Sequence, residues 1–296
     1  MIAILIPVFN YPVRDLVLRI REMAKLAQVD YEILITDDAS TNREILEQNA
    51  FLDQLDDCSY FKFENNIGRT ASAQFLASKA QYENLLFLDA DVLPANTNFL
   101  ELFLENLEKA SVVFGGISYP KEKPEPEKQL RFVYGHKRES RSLALRKKQP
   151  YRSITLAAVA IKKDLFFKVD MPQTNSYGLD IYFSYRLKQL KVDVLHIENP
   201  VVHLGIESNS EFLSKTREGL DTMYTLEKNR FVSKTYRPLQ VIASRFEKLK
   251  MAKSFIRLFE RVEFKALKNL NSANPSLAVF GAWRLYHYLK LRRDEA

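Results

Sequence analysis

The sequence predicts an α/β fold, with a mostly parallel mixed sheet flanked by helices and a basic helical appendage at the C-terminal end. Three observations predict it. Short, wholly apolar runs at residues 2–6, 31–36 and 85–88 read as strands covered on both faces, as in a parallel sheet. Between them lie stretches with helical character, residues 15–27 and the small-residue run 70–80, so the pattern is a βαβ series. Two of the strands end on paired acids, Asp37-Asp38 and Asp89-Ala90-Asp91. These acids fall at the carboxyl edge of the sheet, where open α/β sheets bind their ligands.

Taken in order, strand 2–6 runs into a turn, Pro7-Val8-Phe9-Asn10, in which proline fixes the backbone. A further strand is expected at 59–64, and Asn65-Asn66-Ile67-Gly68-Arg69 turns the chain into helix 70–80. Residues 98–110 form an amphipathic helix, and 111–118 and 154–161 are apolar enough for strands. Residues 121–128, charged and broken by prolines, cannot bury apolar surface and are expected as a mobile loop at the edge of the site. The basic, aromatic residues of 131–138 and 146–148 read equally as a flap with phosphate or sugar contacts or as a solvated face. A Tyr177-Gly178 turn leads Asp180 into a helix, and strand 192–197 follows. Past Gly205 the composition changes. Ser208 caps a helix at 212–227, residues 240–270 read as one basic amphipathic helix, and Asn274-Pro275-Ser276 separates it from a last helix, 277–291. The expected division is an α/β domain at 1–205 and a helical region at 206–296.

The 296 residues, 46% hydrophobic and 27% charged, suffice for one large core plus an appendage. A lone cysteine, Cys58, excludes an internal disulfide framework and a cysteine zinc site, and suits a reducing cytoplasm. The first residues lack a basic leader region, and no apolar run reaches the roughly 18 residues of a membrane span, so neither is expected. No G-x-G-x-x-G follows the first strand and no G-x-x-x-x-G-K-[ST] occurs, which argues against dinucleotide and P-loop folds. From Arg230 onward there are 15 Lys and Arg against 5 Asp and Glu, giving +10 there and −3 before it. That asymmetry concerns partners: an anionic membrane surface, a phosphorylated carrier or nucleic acid. No nucleic-acid motif accompanies it. Basic amphipathic helices carrying Trp283, Tyr286 and Tyr288 suit a bilayer surface, a packed appendage or a homodimer.

Asp89 and Asp91 repel one another unless something compensates them. A hard divalent ion, Mn²⁺ or Mg²⁺, that also bridges phosphates is the simplest compensation; a solvated loop with the acids as helix caps is the alternative.

Four motifs in this order, I-P-V-F-N, T-D-D-A-S-T, N-N-I-G-R and D-A-D, make the first 90 residues resemble family 2 glycosyltransferases of the GT-A fold. The resemblance extends to Gly205 and implies an inverting, metal-dependent enzyme. Such an enzyme moves a sugar from a nucleotide-diphosphate donor, UDP-linked, to a hydroxyl of a saccharide or lipid-linked saccharide in cell-surface polysaccharide synthesis. It implies that Pro7, Val8 and Phe9 wall the base, that Asp38 and Arg69 read it, and that Asp89 meets the ribose or the metal. Asp91 then binds the metal, with His203 of the His203-Leu204-Gly205 motif as a further ligand or phosphate donor. Asp180 takes the place of the general base, which removes the acceptor proton during attack. The chain departs from the family at Phe9, usually Tyr, at Ala73-Gln74, often Arg-Asn, and at Leu179, usually a glutamate. The resemblance further suggests action at the inner face of the plasma membrane. A catalytically silent nucleotide- or glycan-binding scaffold and a nucleotidyltransferase are the competing readings.

Overall fold

The computed structural model describes residues 1–172 and 174–294, so the last two residues of the expected helical region lie outside the described residues. The chain forms two compact units. The first comprises Met1–Pro120, Glu139–Asn175 and Arg186–Gly205; the second comprises Lys121–Arg138, Ser176–Tyr185 and Ile206–Ala296.

The first unit holds ten strands: β1 (Ile2–Val8), β2 (Tyr31–Asp37), β3 (Cys58–Lys62), β4 (Asn84–Leu88), β5 (Val92–Pro94), β6 (Val112–Phe114), β7 (Ile117–Ser118), β8 (Ala158–Lys162), β9 (Val194–His196) and β10 (Val201–His203). The helices in chain order are α1 (Arg14–Leu26), α2 (Arg43–Asn49), α3 (Arg69–Lys79), α4 (Phe99–Leu107), α5 (Gln129–Tyr134), α6 (Leu143–Lys148), α7 (Lys163–Lys168), α8 (Asp180–Gln189), α9 (Asn209–Lys228), α10 (Pro238–Lys248), α11 (Ala252–Leu270) and α12 (Leu277–Asp294).

Seven strands form the central sheet in the order β3-β2-β1-β4-β8-β6-β9. β1 is parallel to both β2 and β4, in register Ile4 opposite Ile33 and Leu86. β8 runs antiparallel between β4 and β6, and this makes the sheet mixed. The apolar runs have the expected fate: Ile2, Ile4, Ile6, Leu86 and Leu88 are fully buried. At about 1.5–3 kcal/mol per buried large aliphatic side chain, these strands are the main stabilising element of the unit.

A second, three-stranded sheet runs β5-β10-β7, with His203 of β10 opposite Val92 of β5. Two expectations are revised. Residues 111–118 are two strands in different sheets, because Gly115-Gly116 turns the chain between them. Gly116 has a φ of +103°, open to glycine, and a side-chain carbon at Gly115 would fall 2.2 Å from the Asn199 carbonyl oxygen. The strand expected at 154–161 begins only at Ala158.

The second unit is helical. α9 starts with a reciprocal cap: Ser208 accepts from the Glu211 amide, and the Glu211 side chain accepts from the Ser208 amide. Trp283, Phe280, Tyr286, Phe259 and Ile256 fill its core. The single helix expected at 240–270 is two. Lys250 has a φ of +55° and the Met251 amide donates to the Phe246 carbonyl, so the chain turns between α10 and α11 and Phe246 meets Phe255 edge to face. The segment expected as a loop ends in a 3₁₀ turn, Pro126–Lys128, tied down by buried Asn209, which accepts from the Leu130 amide and donates to the Pro126 carbonyl. Arg131 is buried and paired with Glu207, so it belongs to no solvated face. Arg146, in the first unit, is likewise buried, its guanidinium donating to the Phe114 and Ile197 carbonyls. Among the described residues no helix is long and apolar enough to cross a membrane.

Candidate active site

The carboxyl ends of β1, β2 and β4 carry Pro7, Val8, Phe9, Asp38, Asp89 and Asp91; Arg69 opens α3 and His203 ends β10, and these eight lie in the first unit. Pro7 and Val8 end β1 opposite Thr36 and Asp37, and Phe9 projects half-exposed beyond them. Asn10 then takes a left-handed φ of 50° and braces the loop after β2: its amide donates to the Ser40 hydroxyl, and its side-chain oxygen accepts from the Thr41 and Asn42 amides at 2.8 and 3.0 Å. This brace was not anticipated, although an asparagine just after a strand is a turn signal.

The two acids after β2 divide the work of holding loops. Asp37 accepts from the Ser40 amide and the Tyr60 hydroxyl, both at 2.7 Å. Asp38, 3% exposed, accepts from the Ile67 amide at 2.7 Å and the Gly68 amide at 2.8 Å, one on each oxygen. Burial raises the Asp38 pKa; the two amides work against it and neighbouring Asp37 reinforces it. Asp38 therefore clamps the turn that launches α3. Gly68 has a φ of +88°, and a side-chain carbon there would fall 2.1 Å from the Asn175 oxygen, which fixes glycine at that point.

Arg69 is the first residue of α3 and pairs with Asp89: its Nε and terminal nitrogen both reach Oδ1, at 2.8 and 2.6 Å. The predicted base reader and the predicted ribose or metal contact are thus one ion pair.

Asp91 is held differently. Its carbonyl accepts from the Leu204 amide at 2.8 Å, and its Oδ2 lies 3.4 Å from His203 Nε2. Gly205 lies directly against its carboxylate, since a side-chain carbon at Gly205 would fall 2.0 Å from Oδ2. Tyr119 stacks on the His203 ring and bonds through its hydroxyl to Glu139. Neither partner carries a sequence signal toward histidine. Burial, with the Asp91 charge second, raises the pKa of Tyr11.

Among the described residues no group of three or more His, Cys, Asp or Glu could hold a metal ion. The chain can nevertheless supply two donors. Adjacent ligands on an octahedral Mg²⁺-sized ion are about 3 Å apart, and such ions usually take one or two carboxylates with phosphates and water. The Asp91–His203 spacing is close to that separation, and among the described residues the buried His203 Nδ1 has no hydrogen-bond partner.

Asp180 belongs to the second unit, at the start of α8. Gly178 before it has a φ of +92° and packs on Gly219, and the Tyr177 amide donates to Glu218. Leu179, where the family usually has an acid, is buried.

A family model described as glycosyl transferase family 2 matches residues 3–166, more than half of the 296 residues. The chain belongs to glycosyl transferase family 2. The mixed sheet flanked by helices is accordingly a GT-A fold, and the protein is a glycosyltransferase. Among solved structures the chain is similar to S. aureus TarS residues 1–349 in complex with UDP. That match has 14% identity and a TM-score of 0.48, and it covers 99% of this chain and 90% of that one. No curated protein sequence matches. The family match ends before Asp180, His203 and Gly205.

Proposed function

We propose that this family 2 enzyme transfers a sugar from a UDP-linked donor, with inversion, to a hydroxyl of a saccharide or lipid-linked saccharide in cell-surface polysaccharide synthesis. The observation that carries this reading is the pairing of Asp91 with His203 at 3.4 Å, at the sheet edge that also bears Arg69 and Asp89. Asp91 and His203 would hold Mn²⁺ or Mg²⁺, and an ion there would supply charge stabilisation to the departing nucleoside diphosphate. Arg69, aligned by Asp89, donates to the base or its phosphates. Phe9 offers the base an apolar wall beside Pro7 and Val8. Asp38 can accept from the base only through lone pairs left over from its two amide bonds, since a carboxylate has about four acceptor positions. Asp180 removes the acceptor proton, a role that rests on its place after the Tyr177-Gly178 turn.

Calorimetric titration of UDP, GDP, CMP and dTDP, with and without Mn²⁺, tests the donor site. UDP binding that needs the ion and disappears in Asp91→Ala is expected; no nucleotide binding in any condition would overturn the reading. Buried Leu179 favours one rival, a silent nucleotide- or glycan-binding scaffold. Sugar transfer that Asp180→Asn abolishes while UDP still binds excludes that rival. Release of pyrophosphate from a nucleoside triphosphate and a sugar phosphate would instead identify a nucleotidyltransferase.

A further inference from the structure

α11 has two faces. Ile256, Phe259, Ala266 and Leu270 are buried in the core of the second unit. On the other side Arg257, Arg261, Lys265 and Lys268 follow one another at steps of four and three residues, and so form one strip. Apolar residues border the strip: Leu258 (61% exposed) and Val262 on one side, Phe264 (81% exposed) on the other. The turn from α10 extends the pattern, with Leu249 and Met251 exposed beside Lys248, Lys250 and Lys253.

Among the described residues none of these seven cations forms an ion pair with an acid. The nearby carboxylates are turned to other work. Glu247 is paired with Arg292, and Glu263 accepts from Tyr286 and lies near Arg217, which leaves Glu260 as the one exposed acid on α11.

We infer that this face docks on an anionic lipid bilayer, with Leu258, Val262, Phe264, Leu249 and Met251 in the headgroup–acyl boundary and the cations at the lipid phosphates. Charge complementarity selects this occupant. A second copy joined about a two-fold axis would bring the same cationic strip against itself. A nucleic acid would use the cations but gain little from exposed Leu, Val and Met. A bilayer uses both: apolar side chains enter the boundary while each nearby Lys or Arg adds attraction to anionic lipid. At 1.5 Å per residue α11 is about 28 Å long, so the whole strip reaches a flat surface at once.

The test uses the full chain and vesicles of phosphatidylcholine alone or mixed equally with phosphatidylglycerol. Cosedimentation with the mixed vesicles only, weakening as salt is added, is expected. The pair Arg261→Gln and Lys265→Gln should lower partitioning about 25-fold, fivefold for each cation. The triple change Leu258→Ser, Val262→Ser and Phe264→Ser should also release the protein, with an unchanged melting temperature because all three side chains are exposed. Phe264→Trp should show a blue-shifted emission with the mixed vesicles, against the constant signal of Trp283, the single tryptophan of the chain, which is buried. Failure to bind mixed vesicles would overturn the inference, as would binding that survives both sets of changes. Self-association that the triple change abolishes, without vesicle binding, would assign the face to a second copy. Duplex DNA binding sensitive to the charge changes alone, without vesicle binding, would assign it to nucleic acid.

Discussion

Each unit buries a carboxylate, and the two are treated in opposite ways. Glu227 in the second unit, 4% exposed, accepts from Gln240, Tyr288 and Arg292, which come from two further helices, α10 and α12. Burial alone would raise its pKa, but the three side-chain donors outweigh it and the carboxyl ends below the usual range. Asp38 in the first unit receives two neutral backbone amides beside the charge of Asp37, and its pKa ends above the usual range. A carboxylate whose donors more than compensate burial is a structural rivet. One left under-compensated at a sheet edge has acceptor capacity unspent, which is a mark of functional sites. The pH dependences have opposite signs. The stability due to Glu227 is present above its unfolded pKa and lost as pH falls through the depressed folded value. The strain at Asp38 is relieved as pH falls, because the folded form then takes up the proton more readily.

The largest expected effect breaks the rivet. Arg292→Met removes the cation and leaves Glu227 charged and buried, so unfolding by urea should show a loss of about 3–5 kcal/mol. The contrast is Asp91→Asn, whose side chain is a quarter exposed and makes no carboxylate bond closer than the 3.4 Å approach to His203. Its stability should change by less than about 1 kcal/mol while donor binding is lost. Equal destabilisation by the two changes would erase the distinction.

A second effect concerns His287, in the same helical core as Glu227. Burial, then the charges of Arg217 and Lys290, lower its pKa to about 4. Its Nε2 lies 3.3 Å from an Arg217 nitrogen, an arrangement that requires the unprotonated ring as acceptor, although Glu263 stands 3.8 Å away. Trp283 and Tyr286 close the site edge to face. Because the folded pKa lies below the unfolded one, the unfolded chain takes up the proton first as pH falls. Stability should drop by about 3 kcal/mol between pH 6.5 and 4, and His287→Gln should flatten that part of the profile. A wild-type profile level across this range would show that the ring protonates in place.

The two units were also unequally legible. In the first, strands and acids are local facts: four apolar residues followed by Asp89-Ala90-Asp91 are visible in ten residues. What those acids hold was not visible, because the partners arrive from afar: Asp38 binds amides 29 and 30 residues on, and Gly205 meets Asp91 more than a hundred residues later. In the second unit helical periodicity ran unbroken through 240–270, with no glycine or proline inside it to mark the turn at Lys250. That turn brings Phe246 against Phe255, a contact that helical periodicity alone does not signal. The excursion of residues 121–138 into the second unit was hidden for the same reason, since its anchor, Asn209, lies over seventy residues downstream.

The smallest effect sharpens the comparison at Asp38 itself. Asp38→Asn keeps the shape but offers one acceptor oxygen where two were used. Either the Ile67 or the Gly68 amide then faces an NH₂ group, a buried donor left without a partner that costs about 1–3 kcal/mol. The same change removes an under-compensated buried charge, so the net loss should sit at the low end, about 1 kcal/mol, in urea denaturation at neutral pH. The loss should also grow as pH falls. Asp38 strains the folded state only while ionised, so wild type and variant should differ more below the folded pKa, where the neutral carboxyl keeps an acceptor without the charge penalty. UDP affinity separates the two roles of this residue: a pure loop clamp predicts a loss in proportion to the misplacement of Arg69, partly restored at high nucleotide concentration. A base reader predicts discrimination between uridine and cytidine nucleotides that disappears in the asparagine variant, because Asn presents a donor where the carboxylate presented only acceptors.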